Sequence, residues 1–216
     1  MNDARKLILW DLDGTLCPHN EQFHHNAPLA VAQAALKMGV DMSLIAAIDF
    51  ARQHYPGQRT AVQAFAKTFG LDPEIMFQHY YTFLRDNFLE PDPALIECFQ
   101  NHLPRCEYGV LTQAPEVWAE TALRKLGLLS CFTPEFVFGY QHLQQRKKTD
   151  PVALAVVAKT CQERSYPRSR VVVVDDSLQV LGSLHEIAAT RIWLSPDKPS
   201  AGVLSAACIE DVFPLA

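Results

Sequence analysis

The chain contains 216 residues, of which 49% are hydrophobic and 20% charged, and it carries a formal net charge of −5. Its length allows one substantial domain with a smaller module, and its composition is ordinary for a soluble globular protein. The dispersed, net acidic charge argues against a nucleic-acid-binding protein, and no apolar stretch is long enough to span a membrane.

Five apolar runs along the chain predict β-strands. They cover residues 7–11, 104–111, 136–138, 170–174 and 190–194. Segments with helical character lie between the later runs, at residues 92–102, 115–126, 151–164 and 178–188. Strands that alternate with helices of this length form βαβ units and a parallel sheet. The sequence therefore predicts an α/β fold.

The stretch between residues 27 and 88 interrupts this alternation. It contains no convincing strand, and its apolar spacing predicts helices near residues 27–38, 42–54, 58–69 and 73–86. Gly and Asp-Pro signals separate these helices. We therefore expect an all-helical insert directly after the first strand of the α/β domain.

The first strand ends in two aspartates, Asp11 and Asp13, followed by the turn residue Gly14. Residues two apart on a strand share one face of the sheet. Open α/β sheets bind their ligands at the C-terminal ends of the strands. Two carboxylates at that position can act as nucleophile and general acid, or can jointly hold a divalent cation.

Three later loops at strand ends carry further polar groups. They hold Thr112 and Gln113 after the second strand, Lys147 and Lys148 before the helix at residue 151, and Asp175 and Asp176 after the fourth strand. A hydroxyl, backbone amides and a lysine suit an anion such as phosphate, whereas carboxylates suit Mg²⁺. Because the ends of parallel strands meet at one edge, we expect these groups to converge with the first two aspartates.

The order of these motifs resembles the haloacid dehalogenase superfamily of hydrolases. Its four signatures would be Asp11-Leu12-Asp13-Gly14-Thr15, Thr112, Lys148 within Lys148-Thr149-Asp150-Pro151, and Asp175-Asp176. The resemblance spans residues 6–195 and implies a Rossmann-like three-layer core whose parallel strands have the order 5-4-1-2-3. Residues 1–17 and 91–216 would form this core. Residues 18–90 would form the family's small helical cap, with the active site between the two domains.

The resemblance also implies a role for each site residue. Asp11 would be the nucleophile that forms an aspartyl-phosphate, and Asp13 would be the general acid and then the general base. Thr112, Gln113 and Lys148 would hold the phosphoryl group. Mg²⁺ would be bound by Asp11, the backbone carbonyl of Asp13, Asp176 and, in an assisting role, Asp175.

The acid at position 13 favours one branch of the family. The dehalogenases that name the family carry a different residue there and use no metal, so Asp13 indicates a phosphatase. The expected activity is Mg²⁺-dependent hydrolysis of a small phosphomonoester. The short cap and the Asp175-Asp176-Ser177 segment look most like the nucleotidase and phosphoglycolate-phosphatase branch. A pyrimidine nucleoside monophosphate is the first substrate to test.

Several alternatives stay open at this point. A phosphotransferase such as a mutase would use the same core. A catalytically weakened binding or regulatory protein is suggested by Thr149, where the family often has proline, and by Val180, where it often has Asp or Asn. Lys147 is the alternative to Lys148 as the phosphate lysine, and Asp175 could instead cap the following helix.

Cysteine usage and the start of the chain favour a cytoplasmic protein. The six cysteines are scattered, with no close pair at metal-ligand spacing, and the first residues do not resemble a signal peptide. Reduced thiols are therefore expected. The partner we expect is a small phosphorylated metabolite, and the chain would be either a monomer or a homodimer.

Overall fold

The computed structural model describes residues 5–17, 21–54, 58–195, 197 and 202–216, and the side chains of residues 21–25 and 58–60 fall outside this description. The chain divides into two compact units. The larger unit comprises Met1–Pro18 and Glu90–Ala216, and the smaller unit comprises His19–Leu89.

A parallel sheet forms the centre of the larger unit. In the described residues its strands are β1 (Lys6–Trp10), β2 (Cys106–Leu111), β3 (Phe132–Phe138), β4 (Val171–Asp175), β5 (Thr190–Leu194) and β6 (Leu204–Ala206). Their order is β3-β2-β1-β4-β5-β6. The apolar residues of β1 and β4 are buried on both faces of the sheet, as expected for a sheet that helices cover on both sides.

Helices occupy most of the rest of the described chain. They are α1 (Glu21–Lys37), α2 (Leu44–Gln53), α3 (Gln58–Phe69), α4 (Pro73–Phe88), α5 (Pro93–His102), α6 (Glu116–Lys125), α7 (Pro151–Glu163) and α8 (Leu178–Ser183). The helices α1 to α4 and the loops between them make up the described part of the smaller unit, and that part contains no strand. None of the helices in the described residues has the length and apolar character that crossing a membrane requires.

Three helices begin at an Asp-Pro pair, and the pair explains where they begin. They are α4 at Asp72-Pro73, α5 at Asp92-Pro93 and α7 at Asp150-Pro151. In each case the aspartate accepts a hydrogen bond from an amide of the first turn, at 2.8 Å in α4 and α7 and at 2.9 Å in α5. Proline suits the next position because its missing N–H would have no partner inside the helix.

The predicted α/β fold and the order of the five predicted strands are confirmed. The sheet has a sixth strand, β6, that the sequence did not predict, because this strand depends on pairing with β5 rather than on an apolar pattern of its own. Two helix boundaries were also wrong. Helix α1 begins at Glu21 rather than residue 27 and includes Pro28 in its interior, and α8 ends at Ser183, after which Leu184–Glu186 form a 3₁₀ turn.

Candidate active site

The first strand delivers Asp11 and Asp13 to the carboxyl edge of the sheet. The amide of Asp11 donates to the carbonyl of Val174 at 2.9 Å, so its backbone continues the pairing of β1 with β4. The turn that follows is closed by the amide of Gly14, which donates to the carbonyl of Cys17 at 2.8 Å. Gly14 has a φ of +91°, a conformation that favours glycine.

Lys148 lies between two buried carboxylates. Its Nζ is 2.6 Å from Oδ1 of Asp11 and 2.6 Å from Oδ2 of Asp175, and all three side chains are buried. Burial alone would lower the pKa of Lys148, but the two carboxylates outweigh that effect and raise it. Burial raises the pKa of Asp11, and Lys148 opposes that rise. The lysine therefore stays charged and favours the anionic form of Asp11.

Lys147, the adjacent alternative, lies on the surface. The side chain of Lys147 is exposed, whereas Lys148 is only 6% exposed. The backbone carbonyl of Lys147 accepts a hydrogen bond from the amide of Asp150 at 2.9 Å. Only Lys148 of the two is in contact with the aspartates at the sheet edge.

Asp13 is held by a tryptophan from another element. Nε1 of Trp118, in the first turn of α6, donates to Oδ1 of Asp13 at 3.1 Å. Burial raises the pKa of Asp13 from its ordinary value to about 6, the hydrogen bond from Trp118 opposes this rise, and the charge of Asp176 adds to it. A carboxyl group with such a pKa can both give and take a proton near neutral pH.

Thr112 and Gln113 follow β2 but differ in their surroundings. Thr112 is 1% exposed, and its hydroxyl accepts a hydrogen bond from the amide of Ala114 at 3.1 Å. Nε2 of Gln113 donates to the carbonyl of Arg146 at 3.3 Å. The amide side chain of Gln113 therefore fastens the loop that carries Lys148.

Asp175 ends β4, Asp176 follows it directly, and the two complete a group of carboxylates. Oδ1 of Asp175 accepts from the amide of Ser177 at 2.8 Å, and the exposed Asp176 has its backbone carbonyl bonded to Nε1 of Trp193 at 2.9 Å. One carboxylate oxygen from each of Asp11, Asp175 and Asp176 lies within 4.8 Å of the others. The side chain of Asp13 is not part of this group.

These oxygens fit a Mg²⁺ ion by their chemistry and by the space beside them. Mg²⁺ prefers carboxylate, carbonyl and water oxygens over nitrogen or sulfur. A Cβ atom at position 14 would overlap the carboxylate of Asp176, so only glycine leaves room for that side chain. The carboxylate group and the glycine beside it are therefore compatible with the ion that the sequence predicts.

The sequence did not single out two residues of this site. Trp118 contacts Asp13 across 105 positions of sequence, and its only local signal is its place in the helix that follows β2. The hydroxyl of Thr15 is buried without a hydrogen-bond partner in the described part of the chain. Thr15 lies within the first motif, but the motif does not reveal the burial of its hydroxyl.

Comparisons with known proteins point to one family. The model of the family described as haloacid dehalogenase-like hydrolase matches residues 5–186. The solved structure of the putative hydrolase YfnB from Bacillus subtilis, bound to magnesium, is similar, with a TM-score of 0.66, 16% identity and 98% of each chain covered. An L-2-haloacid dehalogenase from Xanthobacter autotrophicus with chloropropionic acid covalently bound has a TM-score of 0.61, 14% identity and 98% of each chain covered. No curated protein matches the chain.

Proposed function

Since the chain belongs to the haloacid dehalogenase-like hydrolases, we propose that it is a phosphatase that hydrolyses a small phosphomonoester. The observation that carries this proposal is the carboxyl group of Asp13, which lies at the sheet edge two residues after Asp11 and has a pKa of about 6. Cleavage of a phosphate ester needs an acid for the leaving oxygen. By the resemblance described above, the dehalogenases of the family have a different residue at this position.

The reaction would proceed in two steps through Asp11. In the first step a carboxylate oxygen of Asp11 bonds to phosphorus, the ester P–O bond breaks, and the leaving oxygen takes the proton of Asp13. In the second step Asp13 takes a proton from water, the water oxygen bonds to phosphorus, and the bond from phosphorus to Asp11 breaks. Inorganic phosphate and the free carboxylate of Asp11 result.

The other site residues would hold the phosphoryl group and balance its charge. Lys148 lies 2.6 Å from Asp11 and would place its positive charge beside the oxygens of the transferred group. Thr112, buried at the end of β2, would donate its hydroxyl proton to one of them. The backbone amide of Gln113, ahead of α6, would contribute a further donor.

Asp11, Asp175, Asp176 and the backbone carbonyl of Asp13 would hold Mg²⁺. A bound Mg²⁺ would supply positive charge that offsets the negative charge of these carboxylates and of the phosphate. We propose a small phosphorylated metabolite as the substrate, with a pyrimidine nucleoside monophosphate as the first compound to test.

A substrate panel with a matched variant tests the proposal. The purified protein is assayed for phosphate release from nucleoside monophosphates, sugar phosphates and phosphoglycolate, with Mg²⁺ and with EDTA. We expect Mg²⁺-dependent release, a loss of at least about 10³-fold in Asp11→Asn because the nucleophile is gone, and full activity in Asp41→Asn, whose side chain is exposed.

Other outcomes would identify a different function. Chloride release from 2-chloropropionate without phosphate release would indicate a dehalogenase. Conversion of one sugar phosphate to its isomer would indicate a mutase. If no phosphoester is cleaved and Asp11→Asn changes nothing, the enzymatic proposal is wrong and a binding or regulatory role takes its place.

A further inference from the structure

The indole of Trp118 is the one side-chain donor that the described structure records for the carboxyl group of Asp13. Trp118 is 2% exposed, and its Nε1 lies 3.1 Å from Oδ1 of Asp13. An indole N–H can donate a hydrogen bond but cannot accept one, and it does not ionise near neutral pH. Trp118 can therefore orient the carboxyl group without competing with it as an acid or a base.

The donor selects which oxygen of Asp13 carries the proton. In a neutral carboxyl group the carbonyl-type oxygen is the better acceptor, so a donor at Oδ1 leaves the proton on Oδ2. We propose that Trp118 is a positioning residue that fixes Asp13 with Oδ2 as the oxygen that gives its proton to the leaving group and later takes one from water. This inference rests on the proposed phosphatase function.

The helix that carries Trp118 is fixed by the loop that carries Lys148. Oε1 of Glu116, the first residue of α6, accepts from the amide of His142 at 2.6 Å. A Cβ atom at Gly139 would come within 2.8 Å of the amide nitrogen of Glu116, so this loop and the helix start are in close contact. The helix that carries the donor to Asp13 therefore packs directly against the loop that carries the cation beside Asp11.

The effect of losing the Trp118 hydrogen bond on the rate should depend on the leaving group of the ester. When the ester P–O bond breaks, the leaving oxygen gains the electron pair of that bond and takes the proton from Oδ2 of Asp13. An alkoxide needs this proton before it departs, whereas p-nitrophenolate is stable without it. A misplaced acid should therefore slow alkyl phosphates strongly and p-nitrophenyl phosphate little.

Trp118→Phe tests this prediction because it keeps an aromatic ring and removes the N–H donor. With Mg²⁺ present, we expect kcat to fall about 10- to 100-fold for an alkyl phosphate and less than about 3-fold for p-nitrophenyl phosphate, with KM changed less than about 2-fold. Trp10→Phe is the matched control. Trp10 is also buried, but its Nε1 makes no hydrogen bond in the described structure, so its replacement should affect all leaving groups equally.

The outcomes separate the positioning role from the phosphatase proposal. If Trp118→Phe slows all esters by the same factor, as Trp10→Phe is expected to do, Trp118 only supports the fold and the inference is wrong. If the unmodified protein cleaves no phosphoester at all, both the phosphatase proposal and the role of Trp118 are wrong.

A measurement on the folded protein tests the contact without any activity. The chain has three tryptophans, and each gives one indole N–H signal in a ¹⁵N-labelled sample. Replacement of the charged acceptor in Asp13→Asn should move the signal of Trp118 upfield and leave that of Trp10 in place. An unmoved Trp118 signal would overturn the inference, even where Trp118→Phe does not fold.

Discussion

At the scale of single residues, the most constrained group is the ammonium of Lys148. Lys148 is 6% exposed, and its ammonium contacts the carboxylates of Asp11 and Asp175, which are themselves buried. Charges are stable in a protein interior only when they are paired and hydrogen-bonded. The residue that the phosphatase proposal assigns to the phosphoryl group therefore also pairs the two buried carboxylates with a positive charge.

Lys148→Met should destabilise the larger unit, because it leaves two buried carboxylates without their cation. We expect the free energy of unfolding in EDTA to fall by about 3 kcal/mol or more. Lys147→Met, at the adjacent exposed position, should change it by no more than about 0.5 kcal/mol. Urea unfolding followed by tryptophan fluorescence measures both, and equal effects of the two variants would contradict this account of Lys148.

The sequence predicted which residues meet at the edge of the sheet, but it did not predict which of their side chains form hydrogen bonds with one another. Asp11, Lys148 and Asp175 come together because parallel strands end at one edge, and this follows from topology alone. The hydrogen bond from Trp118 to Asp13 depends on the rotation of α6 about its axis, which no local pattern encodes. The roles assigned to these residues stay predictions.

At the scale of elements, Gly109 determines how closely β2 packs between its neighbours. A Cβ atom there would come within 2.5 Å of the carbonyl oxygen of Phe136 on β3 and within 2.8 Å of Cδ2 of Leu9 on β1. The pairing of β2 with β3 also shifts its register next to this glycine. A residue without a side chain therefore allows the central strands to approach.

Gly109→Ala should lower the free energy of unfolding of the larger unit by about 1–3 kcal/mol, because the methyl group overpacks the sheet. Gly182→Ala is the matched control. A Cβ atom at position 182 meets nothing within 4 Å, and alanine favours a helix, so this change should raise stability by up to about 1 kcal/mol. Urea unfolding measures both variants. If Gly109→Ala left the free energy of unfolding unchanged, the strands could move apart without a loss of stability, and this account of Gly109 would be wrong.

The differences between predicted and observed elements have a common physical cause. Strand β6 exists because Ile192, Trp193 and Leu194 of β5 offer it a pairing partner, and such a partner is distant in sequence. Helix α1 extends before its apolar stripe, where the residue types carry no helical periodicity. Local patterns predicted elements that bury a face and missed those that depend on a neighbour.

At the scale of the whole molecule, the larger unit concentrates negative charge at one edge of its sheet. Among the described residues Lys148 is the one buried lysine or arginine, so Asp11, Asp13, Asp175 and Asp176 leave an excess of three negative charges when all five groups are ionised. The proposed function requires this arrangement, but without a bound cation the excess of negative charge opposes folding. The stability of the unit should therefore depend on pH through these carboxyl groups.

Asp13 gives this pH dependence a definite sign. Burial raises its pKa from 3.8 to about 6 in the folded protein, so between these values the folded chain holds a proton that the unfolded chain has released. A raised pKa stabilises the folded state below pH 4, and this contribution is lost as pH rises to about 6. Above that pH the unit carries the full penalty of the buried charge.

Asp13→Asn should remove this part of the pH dependence. We compare the free energy of unfolding of the variant with that of the unmodified protein, both in EDTA. The difference, variant minus unmodified, should increase by about 1–2 kcal/mol from pH 4 to pH 7, allowing for the partial exposure of the Asp13 side chain. All three tryptophans belong to the larger unit, so their fluorescence in urea follows the relevant transition. Asp41→Asn, at an exposed position, should show no such growth, and a constant difference for Asp13→Asn would mean that its carboxyl group titrates alike in the folded and unfolded chain.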